Sequence, residues 1–413
     1  MDGAEQNTAH PLPDSVQRSN ILRLTLAQAL AGANAVVIFA TGAILGHELA
    51  ASKALATLPI SIFVVGMAAC ILPAGAIARR HGRRAAFLAG TGCGVLTGLL
   101  AAVAVVLASF WLFCLATFLG GAYAAVVLSF RFAAADGVSP ELRAPALSLV
   151  MGGGVAAGIV GPQLVTHTMQ LWPQQLFLAT FLAQAGVAAL AALVLLGVRL
   201  PPLATAELPA GRPLASIARQ PLFITAVVCG AVSYMVMNFL MTAAPLAMRL
   251  LGHSQESANL GLQWHVIAMY APSFVTGWLI NRVGTRRMIA AGLLLSALSA
   301  AAGLTGTTVA HFWLTLILLG VGWNFGFIGA SALVLECHRP EETTQVQSLN
   351  DFIIFGTMAV GSFASGGLLA AYDWNTVLWV SLLPLALALG SLMRISTRTG
   401  RPSLTSTRDS QAP

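Results

Sequence analysis

Two stretches of this chain, about two hundred residues apart, are versions of one another. Gly75-Ala76-Ile77-Ala78-Arg79-Arg80-His81-Gly82-Arg83-Arg84 and Gly277-Trp278-Leu279-Ile280-Asn281-Arg282-Val283-Gly284-Thr285-Arg286 share the pattern Gly-x-x-x-x-Arg-x-Gly-x-Arg. Each stretch lies between two long apolar segments. A repeat of this kind, in a chain made mostly of membrane-length runs, predicts two related halves of six helices each.

Of the 413 residues, 57% are hydrophobic and 8% charged, and the mean hydropathy is +0.82. Soluble globular chains carry about 25% charged residues. So few charges do not keep a surface of this size in water, and lipid is the expected solvent for most of the chain. Apolar runs of roughly 18 to 26 residues predict twelve spans, at 21–46, 54–78, 85–107, 110–134, 144–168, 176–198, 222–247, 262–281, 288–308, 311–336, 348–371 and 376–395. The predicted fold is an all-α membrane protein with twelve transmembrane helices in two pseudo-symmetric six-helix halves, 21–198 and 221–396. A proline-bearing linker over 199–220 joins them. The tails, 1–20 and 397–413, are too poor in hydrophobic residues to fold by themselves. The first apolar run is too long for the core of a cleaved signal peptide.

Of the 21 Lys and Arg residues, all but Lys53 and Arg249 fall in the tails, the linker and the loops or helix ends on one side of this arrangement. The positive-inside rule then places both termini in the cytoplasm. It also accounts for the isoelectric point near 9.7 without a nucleic-acid partner. Trp111, Trp172, Trp313, Tyr372 and Trp374 cluster near the opposite ends, as an interfacial aromatic belt does. The five cysteines lie in or beside apolar segments without paired spacing, which reads as packing rather than disulfides or a metal site.

The repeated loop resembles the signature of the major facilitator superfamily, Gly-x-x-x-Asp-Arg-x-Gly-Arg-Arg between helices 2 and 3 and again between 8 and 9. The likeness extends to the twelve spans and the central linker. It implies transport by alternating access, with the loop arginines Arg83, Arg282 and Arg286 at a gate. The family's acid is replaced by Arg79 in the first copy and Asn281 in the second. In the family that acid contacts the start of helix 11, where this chain has Asp351, so a charge-swapped latch between Arg79 and Asp351 is one reading. A helix cap at Asp351 is the other. The helix 4 arginine associated with proton antiport falls at Thr117 and is absent. Span 5 carries Gly152, Gly153, Gly154, Gly158, Gly161 and Pro162, but not the rest of the antiporter motif. These glycines, like Gly90, Gly94 and Gly98 in span 3, read as close-packing faces.

In this fold helices 3, 6, 9 and 12 are outer supports, so the polar side chains of the other spans are the binding candidates, since polar groups in lipid are costly and face the bundle interior. They are Asn34, with Gln28 nearby, in span 1; Tyr123 in span 4; Gln163 and His167 in span 5; Tyr234 and Asn238 in span 7; His265, with Gln263, Trp264 and Tyr270, in span 8; and Trp323 and Asn324 in span 10. Tyr123 and Trp323 are equivalent when Gly120 is aligned with Gly320, a placement suited to sandwiching a flat solute. Under the same alignment Asp136 and Glu336 are equivalent. With Arg131 they lie toward the cytoplasmic ends, as a gate network would. No acid or arginine lies near mid-membrane, and a strongly charged solute would want a buried counter-charge. The expected substrate is a neutral or weakly charged small organic molecule with hydrogen-bonding groups and a ring system; riboflavin fits that description. Uptake is favoured over efflux by proton antiport, and His167 and His265 are the titratable candidates if protons are coupled.

A phosphate loop is excluded, because the single lysine, Lys53, follows Ala51 and Ser52. No His-Glu-x-x-His or Gly-x-Ser-x-Gly pattern points to an enzyme, and no cofactor or metal is expected. A transporter-like sensor without transport is the remaining alternative. The partners expected are the solute and membrane lipids, with the chain acting as a monomer, most simply in a bacterial inner membrane.

Overall fold

The computed structural model describes residues 13–136, 138, 143–200, 212–339 and 342–399, all of them in helices or their connections. In chain order the helices are α1 (Asp14–Leu49), α2 (Leu58–His81), α3 (Arg83–Val106), α4 (Phe110–Val127), α5 (Phe130–Asp136), α6 (Arg143–Thr168), α7 (Leu178–Leu196), α8 (Leu214–Ala218), α9 (Pro221–Leu250), α10 (Gln255–Tyr270), α11 (Ser273–Val283), α12 (Thr285–Leu304), α13 (Val309–Leu335), α14 (Thr343–Ala371) and α15 (Trp374–Thr399). Eleven of these are long and apolar enough to cross a membrane. The eighth span is broken instead. It starts earlier than the predicted 262, at Gln255, and divides at Ala271-Pro272 into α10 and α11. Proline removes a backbone donor and crowds the preceding turn, which is why hydropathy found the span and missed the break. The last residues of the predicted N-terminal tail are the first turns of α1, and 397–399 of the predicted C-terminal tail are the end of α15; residues 1–12 and 400–413 lie outside the described residues.

The loop repeat is a repeat of backbone geometry. Gly82 ends α2 and opens α3 with φ 85° and ψ 157°; Gly284 ends α11 and opens α12 with φ 90° and ψ 147°. A side chain at either place has open space around it. The glycine is required by a backbone region closed to other residues.

Burial follows the expected roles. Of the eleven membrane-length helices, α1 is the most enclosed and α15 the least. α3, α7, α12 and α15 present leucines such as Leu99, Leu193, Leu298 and Leu387 at the surface, a face stable against hydrocarbon and not against water. The glycine faces pack closely. A Cβ on Gly153 of α6 would fall 2.6 Å from the Thr25 carbonyl of α1, and one on Gly158 would fall 2.9 Å from Val266 of α10. Gly94 of α3 lies against the ring of Tyr123. The aromatic belt is only partly as expected. Trp111, Trp172 and Tyr372 are exposed, whereas Trp374 is buried against Phe312, stacked at 5.0 Å, and Trp313 donates to the Ser257 carbonyl at 2.9 Å.

Candidate functional site

Between the halves lie three connected chambers, of about 130, 270 and 420 Å³, widening toward the end that carries the arginine loops. We call them deep, middle and mouth. None is lined by α7, α12 or α15, and α3 contributes only Arg83 and Ala86 at its start.

One wall of the middle chamber is aromatic and comes from the second half: Tyr234 on α9, Tyr270 on α10, Trp323 and Phe327 on α13, and Phe355 on α14. Trp323 and Phe327 are four residues apart, hence on one helix face, and stack with centroids 5.2 Å apart and planes inclined by 15°. Tyr234 meets Trp323, Phe327 and Phe355 edge-on at 5.4, 5.0 and 5.7 Å. Tyr270 approaches Trp323 at 6.2 Å. Edge-to-face contacts hold such rings rigid and leave flat faces for a solute. The Trp323 indole N–H is buried without an acceptor. The facing wall comes from the first half, has no aromatic ring, and mixes aliphatic with polar side chains, among them Gln28, Val127, Leu128, Ser129 and Arg131. Gln28 lines both the deep and middle chambers, and its amide makes no hydrogen bond to another described residue.

Of the expected binding residues, the structure brings Gln28, Tyr234, Tyr270 and Trp323 to this cavity, and the others do not line it. Tyr123 is fully buried beside Gly94, so the expected sandwich with Trp323 does not form. Asn34 exchanges hydrogen bonds with Gln184 of α7, the shortest 2.6 Å. His265 is fully buried, with Nδ1 2.7 Å from the Leu316 carbonyl on α13. Asn238 is buried with neither amide atom partnered and lines none of the three chambers. Asn324 is committed to the broken span: its Nδ2 donates to the Met269 carbonyl at 2.6 Å and to Ser273 Oγ at 2.7 Å, and its Oδ1 accepts from Thr276 at 2.6 Å. A helix break leaves carbonyls without helical donors, and Asn324 supplies one. Gln163 donates to Gln263 at 2.8 Å, across the boundary between halves.

The gate candidates divide similarly. Arg131 and Asp351 line both the middle and mouth chambers, one from each half, and Arg83 lines the middle one. α14 begins at Thr343, so Asp351 sits two turns inside it and is not its cap. The side chains of Arg79 and Asp136 lie outside the described residues, so the Arg79–Asp351 latch has no geometry here. Arg282 rests over the Trp278 ring at 5.2 Å. Glu336 accepts from Thr285 at 3.2 Å, tying the end of α13 to the start of α12. Arg286 lines none of the three chambers.

At the opposite end the halves are joined. Ser61 of α2 donates to Ser362 of α14 at 3.0 Å, and both are buried. Gln255 of α10 reaches the Ala40 carbonyl of α1 at 3.4 Å and Asn259 at 2.9 Å; Asn259 donates to Thr166 of α6 at 3.0 Å. With Gln163–Gln263 these bonds form a polar seam. The sequence did not single out Gln255, Asn259, Ser61, Phe327 or Phe355, since such residues in apolar helices carry no spacing signal of their own.

An ion pair fixes the linker. Arg212, just ahead of α8, meets Glu342 in a two-pronged contact, Nε to Oε1 and Nη2 to Oε2, both 2.7 Å. Glu342 also accepts from the backbone N–H of Arg212 and of Arg339, each at 2.9 Å. The Arg212 guanidinium and these N–H groups hold the Glu342 carboxyl well below the usual carboxylate range.

Comparison with known proteins agrees with this architecture. The family model described as the Major Facilitator Superfamily matches residues 24–232 and again 226–413. A riboflavin transporter, RfnT, of Brucella anthropi is 47% identical over 379 residues, covering 91% of this chain and 95% of that protein. An uncharacterised transporter of the same type from Bacillus subtilis, YddS, is 30% identical over 89% of this chain and 88% of its own length. Among solved structures, a bacterial homologue of the human lysosomal transporter Spinster superposes with a TM-score of 0.73 at 16% identity, covering 95% of this chain and all of that one. A D-xylose–proton symporter superposes with a TM-score of 0.73 at 15% identity over 91% and 97% of the two chains. The chain belongs to the major facilitator superfamily of multi-pass membrane transporters.

Proposed function

We propose that this protein carries riboflavin into the cell, with the aromatic middle chamber as its binding site. The observation that carries the reading is the 47% identity to a riboflavin transporter along 91% of the chain. The site supplies its physical basis. A flat, uncharged tricycle is recognised by aromatic faces, and stacking of a ring system on such faces contributes ~1–3 kcal/mol per ring by alanine substitution. The free amide of Gln28 and the unpartnered N–H of Trp323 are the matching hydrogen-bonding groups.

The distribution of Lys and Arg supports a cytoplasmic loop end. On that orientation the molecule is open inward, with the polar seam as the closed outer gate. Alternation then requires the seam to part while the loop end closes, with Arg131 and Asp351 approaching across the mouth. The protein acts as a monomer in this reading, its apolar outer helices against lipid, and in a bacterium the membrane is the inner one.

The test is uptake of radiolabelled riboflavin by riboflavin-requiring cells that lack an importer, with and without a protonophore. Accumulation above the empty-vector level is expected. No accumulation, with the protein shown to be in the membrane, overturns the assignment. The protonophore arm decides whether protons drive the step.

A further inference from the structure

The deep chamber is chemically unlike the two below it. Its walls include Met67, Met237, Met241, Met269 and Met358 with Phe39 and Phe63, and its polar side chains are confined to Gln28, Tyr234 and Tyr270, which it shares with the middle chamber along with Val127 and Leu128. The middle chamber adds Ser129, Arg131, Ser273 and Asp351. A polarity step therefore lies across the cavity at Gln28, Tyr234 and Tyr270. Methionine side chains are flexible and polarisable and fit irregular apolar outlines, so the deep chamber suits the end of a ligand rather than a whole one.

Riboflavin has the same division. One end of its tricycle is a dimethylbenzene; the other is a dione, and a hydroxylated chain leaves the central ring. We infer that the flavin binds with its dimethyl edge in the methionine chamber and its dione and ribityl groups in the middle chamber, and that Met237 and Met241 set which ring substituents are accepted. This inference rests on the riboflavin reading above. The reverse orientation strands the dione carbonyls and ring N–H among methionines, and burying such polar groups without partners is unfavourable. It also leaves Asp351, Ser129 and Ser273 facing methyl groups.

The test is direct binding to the purified full-length protein in detergent, read by quenching of flavin fluorescence. The probes are riboflavin, lumiflavin (ribityl cut to methyl) and a flavin in which one ring methyl is replaced by dimethylamino. Met237→Phe narrows the deep chamber and is expected to weaken the enlarged flavin about tenfold more than riboflavin, the scale of a misfit of one or two carbon atoms in an apolar pocket. The riboflavin-to-lumiflavin ratio stays unchanged. Asp351→Asn is expected to do the converse, bringing riboflavin toward lumiflavin and leaving the ring-substituent ratio alone. Met241→Phe repeats the first arm at a second wall and decides it if Met237→Phe does not fold. The crossed result, or ratios unmoved in both arms, overturns the orientation while leaving riboflavin binding intact. Absence of riboflavin binding by the unaltered protein instead removes the functional reading itself, and the orientation with it.

Discussion

The two halves share a scaffold and differ in what they turn inward. Gly82 and Gly284 hold the same backbone conformation, and the helices flanking them pack alike. Twelve residues beyond each loop glycine, the first half has Gly94 and the second has Ser296. Gly94 leaves a notch in α3, and the ring of Tyr123 fills it. Ser296 occupies that place in α12, and its hydroxyl lies against Gly322 of α13, where a Cβ would come within 2.6 Å. α13 must meet α12 through glycine, with Gly326 lying against Gly292. The neighbouring aromatic, Trp323, then has no room on that side and packs edge-on against Tyr234 in the cavity wall. The exchange of Gly94 for Ser296 in an outer helix thus goes with an aromatic packed in the first half and one on the cavity lining in the second. The aromatic rings of the middle chamber come from the second half alone.

The sharpest way to break this comparison is to truncate the two aromatics that an alignment treats as equivalents. Trp323→Ala is expected to weaken riboflavin binding about 10- to 100-fold, the range for loss of a stacking face, with folding retained because the side chain borders a cavity. Tyr123→Ala is expected to leave the dissociation constant within about twofold while lowering stability by ~3–5 kcal/mol, as for a fully buried aromatic. Fluorescence titration and thermal melting in detergent read the two effects separately. Equal losses of affinity would mean that both rings touch the solute and that the halves are functionally symmetric.

Much of the scaffold was legible in the sequence for the same reason that this difference was not. Hydropathy reports the solvent of a segment, and the loop motif reports a backbone conformation, so spans, repeat and outer helices could all be read from local sequence. Facing is a property of helix pairs. Asn34 is as polar as Gln28 and six residues away, yet only Gln28 reaches the cavity, because Asn34 meets Gln184 of α7 150 residues later. Asn324 looked like a ligand group beside Trp323 because the break it serves, at Ala271-Pro272, lies on another helix. Phe327 and Phe355 were invisible as site residues, since a phenylalanine in an apolar helix is indistinguishable from core until its neighbours are known. For Asp351 the family resemblance offered Arg79 as one reading, and the Arg79 side chain lies outside the described residues. The cation that lines both of its chambers is Arg131, from a helix the motif does not include.

A smaller and deliberately symmetric effect tests the shared part of the scaffold. Gly82→Ala and Gly284→Ala each force a Cβ into a backbone region that is nearly glycine-only, at a cost of about 1–3 kcal/mol, with no steric clash to add. The two variants are expected to lose the same amount of thermal stability within error, and the double variant about the sum, since the sites are distant and share no partner. Markedly unequal losses would show that the two turns are alike in outline only, and that one loop is free to relax.

The linker supplies the last and weakest asymmetry, because it is fastened to the second half through Glu342. A carboxylate depressed by its partner contributes stability that is fully present above the unfolded value of about 4.3. That contribution is lost as pH falls through the lower folded value. The difference in melting temperature between the unaltered protein and Glu342→Gln should therefore be flat between about pH 5 and 8 and narrow only below about 4, toward the Glu342 value in the folded protein. Solvent access to Arg212 keeps that difference small. A gap that varies through the neutral range would mean that a group titrating near pH 6 to 7 acts on this joint. A flat gap, together with unaltered riboflavin binding in the variant, leaves the ion pair as a fixed strut. The linker then travels with the second half while the seam at the other end opens and closes.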